Sequence, residues 1–187
     1  YPFIMMDIPA GNGLADPWSG AASQPVYPWR GRITCDPAPG RPGSPQGAPA
    51  AATQVNNFFS GGSWNYRNMI LHYASLVASA GGVHAFMIGS ELRSLTRVRS
   101  GSGVYPAVNA LTALAADVKS IVGSSTIVTY GADWTEYGAD VVTPDASEVR
   151  FPLDSLWASS AIDVVGIDYY APLADWRDEA GHLDSSN

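Results

Sequence analysis

Four short apolar runs in this chain each end on a carboxylate. The four acids are Asp7, Glu91, Asp133 and Asp168. Buried parallel strands read as short, nearly continuous apolar runs, and residues at their C-terminal ends form the site in α/β barrels. Four such strands would bring the acids to one rim. Two carboxyl groups on either side of a glycosidic bond can hydrolyse it, one protonating the leaving oxygen and the other attacking or activating water.

Glu91 is the best candidate for the proton donor. It directly follows the apolar run that starts at Phe86, and a general acid requires a carboxyl group lodged where little water reaches it. The structural alternative is that Glu91 begins the next loop or pairs with Arg93. An acid at a strand end can equally cap a following helix or anchor an arginine, so the three aspartates stay open between structural and functional roles.

Aromatic residues crowd the same strand ends. Flat ring faces with polar edges suit stacking against sugar rings, whereas ordinary packing under loops is the structural alternative. These residues are Trp134, Tyr137, Tyr169, Tyr170 and Trp176.

Motifs for other chemistries are missing from the sequence. It contains no GxSxG elbow, GxxxxGK[ST] phosphate loop, GxGxxG fingerprint or HExxH zinc motif. We therefore expect no cofactor and no bound metal. A carboxylate-only Mg²⁺ or Ca²⁺ site built from Asp133, Glu136 and Asp168 is a minor alternative.

The composition of the chain limits its domain organisation and the classes of molecule it is expected to bind. The chain has 187 residues, 46% of them hydrophobic, which fits one domain with a substantial core. A net charge of −7 disfavours nucleic acid. Cys35 is the only cysteine, which excludes an internal disulfide and CxxC motifs. No apolar run reaches the roughly 18 residues of a membrane span, so no membrane insertion is expected. No signal peptide is visible, although a processed N-terminus at Tyr1 would hide one.

The spacing of apolar residues predicts the elements that carry these acids. We expect a helix from Tyr66 to the Gly81-Gly82 pair, a second from Pro106 to Gly123, and a short third one over 152–159. Strands and helices alternate, and right-handed crossovers turn that order into a parallel sheet. Either an open doubly wound sheet or part of a (β/α)8 barrel fits.

The length decides between these folds. A closed barrel takes about 250 residues, and an open four-stranded sheet would leave its edges unpaired. We predict an α/β fold in which residues 1–187 form a single TIM-barrel-like domain, as a partial barrel segment of a longer chain with strands missing at both ends.

A long segment rich in glycine and proline runs from Ala10 to about Thr53 and lacks helical periodicity. It is either a flexible linker or an ordered loop over the strand ends. We favour the ordered loop, because aromatic and arginine residues such as Trp18, Trp29 and Arg30 are not typical of a flexible linker. Loops of this length are usually either functional or disordered.

Four stretches resemble one family, the TIM-barrel-like domain of gene transfer agent and phage-tail baseplate proteins. The resemblance spans essentially the whole chain, and the run PWRGRITCDP is its most specific motif. The stretches are Tyr1–Pro9, Tyr27–Pro37, Ile88–Arg93 and Gly166–Arg177.

The resemblance implies a glycoside-hydrolase-like barrel in the tail tip of a phage-like particle, made in the bacterial cytoplasm. Its implied partners are envelope polysaccharide or peptidoglycan and other phage-tail baseplate proteins. In related retaining barrel glycosidases, the acid/base glutamate ends the fourth strand and the nucleophile ends the seventh. Glu91 matches the first position, and the strand for the second is expected beyond Asn187. Ser90 stands where that pattern has an asparagine for the sugar 2-hydroxyl, so recognition of this hydroxyl stays open.

We therefore expect a glycoside hydrolase with Glu91 as its acid/base and a glycan groove lined by eight further residues. If the chain holds no nucleophile, Glu136 or Asp133 could act as a base only in an inverting arrangement, with carboxyl groups roughly 6.5 to 9.5 Å apart. The alternatives are a catalytically inactive glycan-binding or structural baseplate barrel and a metal-dependent hydrolase. The groove residues are Asp7, Trp29, Arg30, Arg32, Asp133, Trp134, Asp168 and Tyr169.

Overall fold

The computed structural model describes residues 1–142, 148–171, 173–174 and 180–183. Its helices are α1 (Pro49–Ser60), α2 (Tyr66–Ser79), α3 (Arg93–Thr96), α4 (Pro106–Val122), α5 (Trp134–Tyr137) and α6 (Asp154–Trp157), with a 3-10 turn over Arg30–Arg32. Its strands are β1 (Ala85–Ser90), β2 (Ile127–Asp133), β3 (Asp140–Val142), β4 (Glu148–Arg150) and β5 (Gly166–Asp168).

Three parallel strands form the central sheet, in the order β1-β2-β5. Phe86 pairs with Val128, and Asp133 pairs with Asp168, so the strands share one direction and their C-terminal ends meet at one edge. The strands β3 and β4 form a separate antiparallel pair that the sequence analysis did not predict.

The first predicted strand, Phe3–Asp7, is wrong. The described residues give this segment no sheet partner and no regular secondary structure. It contacts both the long loop and the core: the Phe3 ring lies 5.5 Å from the guanidinium carbon of Arg30, and Ile4 packs against the buried core. Just after the segment, the backbone N–H of Tyr27 donates to the carbonyl of Ile8.

The two long helices follow the prediction. The Asn65 side chain caps α2 by accepting from the backbone N–H of Asn68, and Gly81 and Gly82 end it with positive φ angles. Pro106 lies in the first turn of α4, and Gly123 follows its last residue. The third helix, α6, is shorter than predicted.

Helix α1 lies partly within the segment that we expected to lack helical periodicity. Its buried residues Ala51, Val55 and Phe59 are spaced four apart, which is the pattern of one helix face. The short apolar stripe and the absence of an acidic first turn made this helix hard to detect from the sequence.

The helices pack on one face of the sheet. Phe86, Ile88, Val128 and Tyr130 from the strands share a buried core with residues of α1, α2, α4 and α6. The fold is therefore mixed α/β with a parallel sheet.

The long loop is held by its own contacts. Asp16 accepts hydrogen bonds from Ser19 and pairs with Arg32 at 3.1 Å, while the Trp18 indole N–H donates to the carbonyl of Arg32. These contacts support the ordered loop over the flexible linker. Among the residues described, no helix has the length and hydrophobicity to span a bilayer.

Candidate active site

Glu91 is placed by an irregular end of β1. The register between β1 and β2 shifts between Met87 and Ser90, where Gly89 adopts a φ of 154° and Glu91 a φ of 55°. A left-handed backbone is uncommon for a residue other than glycine, and such conformations cluster at functional sites. The backbone N–H of Glu91 still donates to the carbonyl of Gly131 at 2.9 Å, so the strand end stays attached to β2.

The carboxylate of Glu91 is buried under the long loop. Its Oε2 atom accepts a hydrogen bond from the Trp29 indole N–H at 2.9 Å and forms an ion pair with Arg30 at 2.8 Å. Arg30 also donates to the carbonyl and the hydroxyl of Ser90. Glu91 thus pairs with Arg30, whereas the structural alternative in the sequence analysis was a pair with Arg93. Both contacts are those of an ionised carboxylate.

Asp168 shares this environment from the end of β5. Its Oδ2 atom lies 3.2 Å from the point where Gly131 would carry a side chain, on the sheet face opposite the helices. Burial raises the pKa of Asp168, the negative charges of Glu91 and Asp133 raise it further, and Arg30 opposes them. The carboxyl group of Asp168 therefore interacts with the charges of the two acids that end the other strands of the sheet.

Asp133 also has a structural role at the start of α5. Its Oδ1 atom accepts from the backbone N–H and the hydroxyl of Thr135, and its own backbone N–H donates to Glu136. Together these contacts form a capping box. The capping role that the sequence left open for Asp133 is therefore present in the structure.

Glu136 lies beneath the rim, fully enclosed. Its Oε1 atom accepts from the hydroxyls of Thr96 and Tyr130, each at 2.8 Å. Burial raises the pKa of Glu136 to about 7, although these donors oppose the shift. In the described part of the chain, no group of three or more His, Cys, Asp or Glu side chains is placed to hold a metal ion. The alternative metal site gains no support.

A comparison with known families places the chain. The profile of the GTA TIM-barrel-like domain, named for gene transfer agents, matches residues 64–187. The chain belongs to this family. No curated protein matches it. The match confirms the predicted resemblance and covers the three strands and their acids, whereas Trp29 and Arg30 lie before the matched range.

Aromatic side chains surround the acids of this GTA TIM-barrel-like domain. The rings of Trp134 and Tyr169 lie 6.1 Å apart at 71°, one after β2 and one after β5. Both are more than half exposed, at 52% and 64%, so their faces are open to a ligand. Tyr137 and Tyr170 are exposed nearby in the sequence, and Trp176 lies outside the described residues.

Two predicted groove residues have no contact with the acids that supports the prediction. Asp7 is exposed on the N-terminal segment. The Arg32 guanidinium is engaged within the loop by Asp16 and by the Trp18 ring, 5.8 Å from its centroid. Of the other groove residues, Trp29 and Arg30 contact Glu91, and four lie at or next to the ends of β2 and β5: Asp133, Trp134, Asp168 and Tyr169.

The site is also shaped by Ser90, which the resemblance had placed at the asparagine position, and by Gly131 and Tyr66, which the sequence analysis did not place there. Ser90 anchors Arg30, Gly131 leaves room for Asp168, and the Tyr66 hydroxyl donates to the carbonyl of Ile88 at 3.0 Å. The glycine one residue before Ser90 was the available signal, because glycine in a strand often marks a bulge or a close approach.

Proposed function

We propose that this domain is a glycoside hydrolase acting on envelope polysaccharide or peptidoglycan, as part of a gene transfer agent particle. The observation that carries the proposal is the convergence of Glu91, Asp133 and Asp168 on one sheet edge beside exposed aromatic rings. Two carboxyl groups on either side of a glycosidic bond can supply the acid and the base that its hydrolysis needs.

In the proposed reaction, Glu91 protonates the glycosidic oxygen as the bond to the anomeric carbon breaks. A second carboxylate attacks that carbon or removes a proton from the attacking water. Asp168 is a candidate within the described residues because its carboxyl group interacts with the charge of Glu91, and the separation of the two groups decides between a retaining and an inverting reaction. The other source is a glutamate on a further barrel strand outside residues 1–187, which would give a retaining enzyme. The partial-barrel interpretation is part of this proposal.

Arg30 has to give up its ion pair before Glu91 can act as an acid. A hydroxyl or an anionic group of the glycan that accepts from the guanidinium would compete with the carboxylate for it. Trp134 and Tyr169 supply ring faces on which a sugar can stack while that exchange takes place. Substrate binding and activation of Glu91 are therefore coupled in this proposal.

The test is release of reducing ends from purified envelope polysaccharide and peptidoglycan. It uses the chain and the longest polypeptide that contains it, each with a Glu91→Gln variant and an Asp154→Asn control on the exposed start of α6. General acid catalysis contributes about 10²–10⁴-fold, so Glu91→Gln should lose at least about a hundredfold while the control keeps its rate. Unchanged release by Glu91→Gln would refute the assignment.

A catalytically inactive barrel that binds glycan, or serves only as a structural module among other baseplate proteins, is the second candidate. The observation that favours it is the closed state of Glu91, whose carboxylate is held by Arg30 and Trp29. Such a barrel predicts binding without release of reducing ends. The same assay, with glycan binding measured in parallel, separates the two.

A further inference from the structure

A group of arginines beside the carboxyl rim takes no part in the chemistry proposed above. Arg93, Arg97 and Arg99 line a cavity of about 260 Å³. Arg93 begins α3, Arg97 follows its last residue, and Arg99 lies two residues further on. All three side chains are partly buried, and that of Arg97 is only 20% exposed.

Each of these arginines has one N–H group without a hydrogen-bond acceptor among the described residues. The Nε atoms of Arg93, Arg97 and Arg99 are buried and lack a hydrogen-bond partner within the described part of the chain. A buried donor without an acceptor costs free energy, so such an atom calls for a specific explanation such as an absent ion. Three of them around one cavity call for a common explanation.

The surrounding carboxylates do not neutralise the three cations. Asp140 lies nearest, with its Oδ1 atom 3.7 Å from Nε of Arg97, and Arg97 spends another donor on the carbonyl of Thr135 at 2.6 Å. Arg93 and Arg99 form no ion pair with any residue that the structure describes. The negative charges of Glu136 and Asp133 also act on Arg97. The cations left without a carboxylate partner among the described residues are therefore those of Arg93 and Arg99.

One side chain fixes the wall of this cavity. Gln46 donates from Nε2 to the carbonyl of Arg97 at 3.3 Å and accepts at Oε1 from the backbone N–H of Arg99 at 2.9 Å. Gly47 adds a hydrogen bond to the carbonyl of Arg99 at 2.8 Å. The backbone of the arginine segment is thus held before any ligand arrives, which lowers the entropy cost of binding.

We propose that this cavity is a binding site for an oxyanion, a phosphate or carboxylate group, held by Arg93, Arg97 and Arg99. The planar guanidinium fork matches the geometry of both groups, and an oxyanion supplies the acceptors that the three Nε donors lack. Water occupies about 30 Å³ per molecule in the liquid, so the cavity has room for such a group with a few waters. The site does not depend on catalysis by Glu91.

Calorimetric titration of the chain with inorganic phosphate, glucose 6-phosphate and glucuronate tests the proposal. We expect saturable binding of at least one of these probes. Phosphate probes alone would assign the site to phosphate groups, and glucuronate alone to carboxylates. Arg93→Gln and Arg99→Gln should each weaken binding about tenfold, the effect of losing one charged hydrogen-bond donor.

Arg67→Gln is the matched control, because Arg67 pairs with Asp117 at 2.9 Å, away from the cavity. It should leave the affinity unchanged. Arginine Nε–H NMR signals of the unmodified chain give a second readout that needs no variant, and those of Arg93, Arg97 and Arg99 should shift with phosphate or glucuronate. Absence of saturable binding with all three probes, or equal weakening by Arg67→Gln, would overturn the proposal.

Discussion

At the scale of single residues, the position of Glu91 depends on unusual backbone before it. Gly89 has a φ of 154°, and a Cβ added there would overlap the hydroxyl of Tyr66. That hydroxyl donates to the carbonyl of Ile88, which the irregular strand end turns toward it. The irregular strand end, Tyr66 and Glu91 therefore depend on one another, and a substitution at Gly89 should change the position of Glu91.

Gly89→Ala tests this unit. It combines a strained backbone with overpacking against Tyr66, and we expect it to lower the free energy of unfolding by about 2 kcal/mol or more. Chemical denaturation measures the loss. In a Tyr66→Phe background the same substitution should cost less, because the overlapping oxygen is gone. Equal costs in both backgrounds would show that Tyr66 does not constrain this position.

Glu136 makes stability depend on pH near neutrality. Its pKa is raised from 4.5 to about 7 by burial, so the folded state disfavours the ionised form. The stability that protonated Glu136 contributes is complete below about pH 4.5 and is lost as pH rises through about 7.

Denaturation at several pH values should show this loss in the unmodified chain. Glu136→Gln cannot ionise, so its stability should be flatter across the same interval, even though its amide fits the three donors less well and lowers stability overall. A variant with the same slope as the unmodified chain would assign the pH dependence to other groups.

The sequence predicted that Glu91, Asp133 and Asp168 would lie at one edge of the sheet, but it did not predict their contacts. Glu91, Asp133 and Asp168 were predictable because each ends an apolar run, and strand ends are where parallel sheets place functional groups. The Arg30–Glu91 ion pair joins residues 61 apart through an irregular loop, and no periodic pattern encodes it. Arg32 looked equivalent to Arg30, but the turn between them sends it to Asp16.

Among the secondary-structure elements, a predicted strand was confirmed where its apolar run is buried and was wrong where the run is exposed. Strand β2 matches its predicted bounds, because every residue after Ile127 is buried and the run is continuously apolar. The run Phe3–Asp7 is also apolar up to its final carboxylate, yet Phe3 and Met5 are exposed at 44% and 78%. Composition alone cannot tell an apolar run that pairs in a sheet from one that lies against a loop.

Asp163 connects a helix to the sheet at the N-terminal end of its strands. Oδ2 of Asp163 accepts from Lys119 Nζ at 2.6 Å and from the backbone N–H of Val128 at 2.7 Å. These hydrogen bonds, that of Lys119 first, hold the pKa of Asp163 below its usual value of 3.8. Asp163 therefore links the end of α4 to the start of β2.

Asp163→Asn should lower the free energy of unfolding at neutral pH, because the amide keeps one acceptor and loses the charge. With a lowered pKa, the contribution of Asp163 is present above its unfolded value and is lost as pH falls through the folded one. Acid unfolding of the variant should accordingly be less steep. Asp154→Asn is the exposed control, and an equal effect from it would contradict a specific link.

At the scale of the whole molecule, the two faces of the sheet have different roles. Helices cover one face and supply the core, while the other carries Gly131 and Asp168 up to the rim. The placement of the helices on one face follows from the order of strands and helices along the chain and from the right-handed crossovers between parallel strands. That order could be predicted from the sequence.

The site described here requires that the carboxyl group of Asp168 interact with the charges of Glu91 and Asp133. The most direct test is NMR titration of the Asp168 carboxyl group in the unmodified chain and in Glu91→Gln. We predict that the pKa of Asp168 lies above its usual 3.8 and falls in the variant, since a nearby negative charge is removed and Arg30 is released. An Asp168 that titrates at 3.8 in both proteins would contradict the site described here.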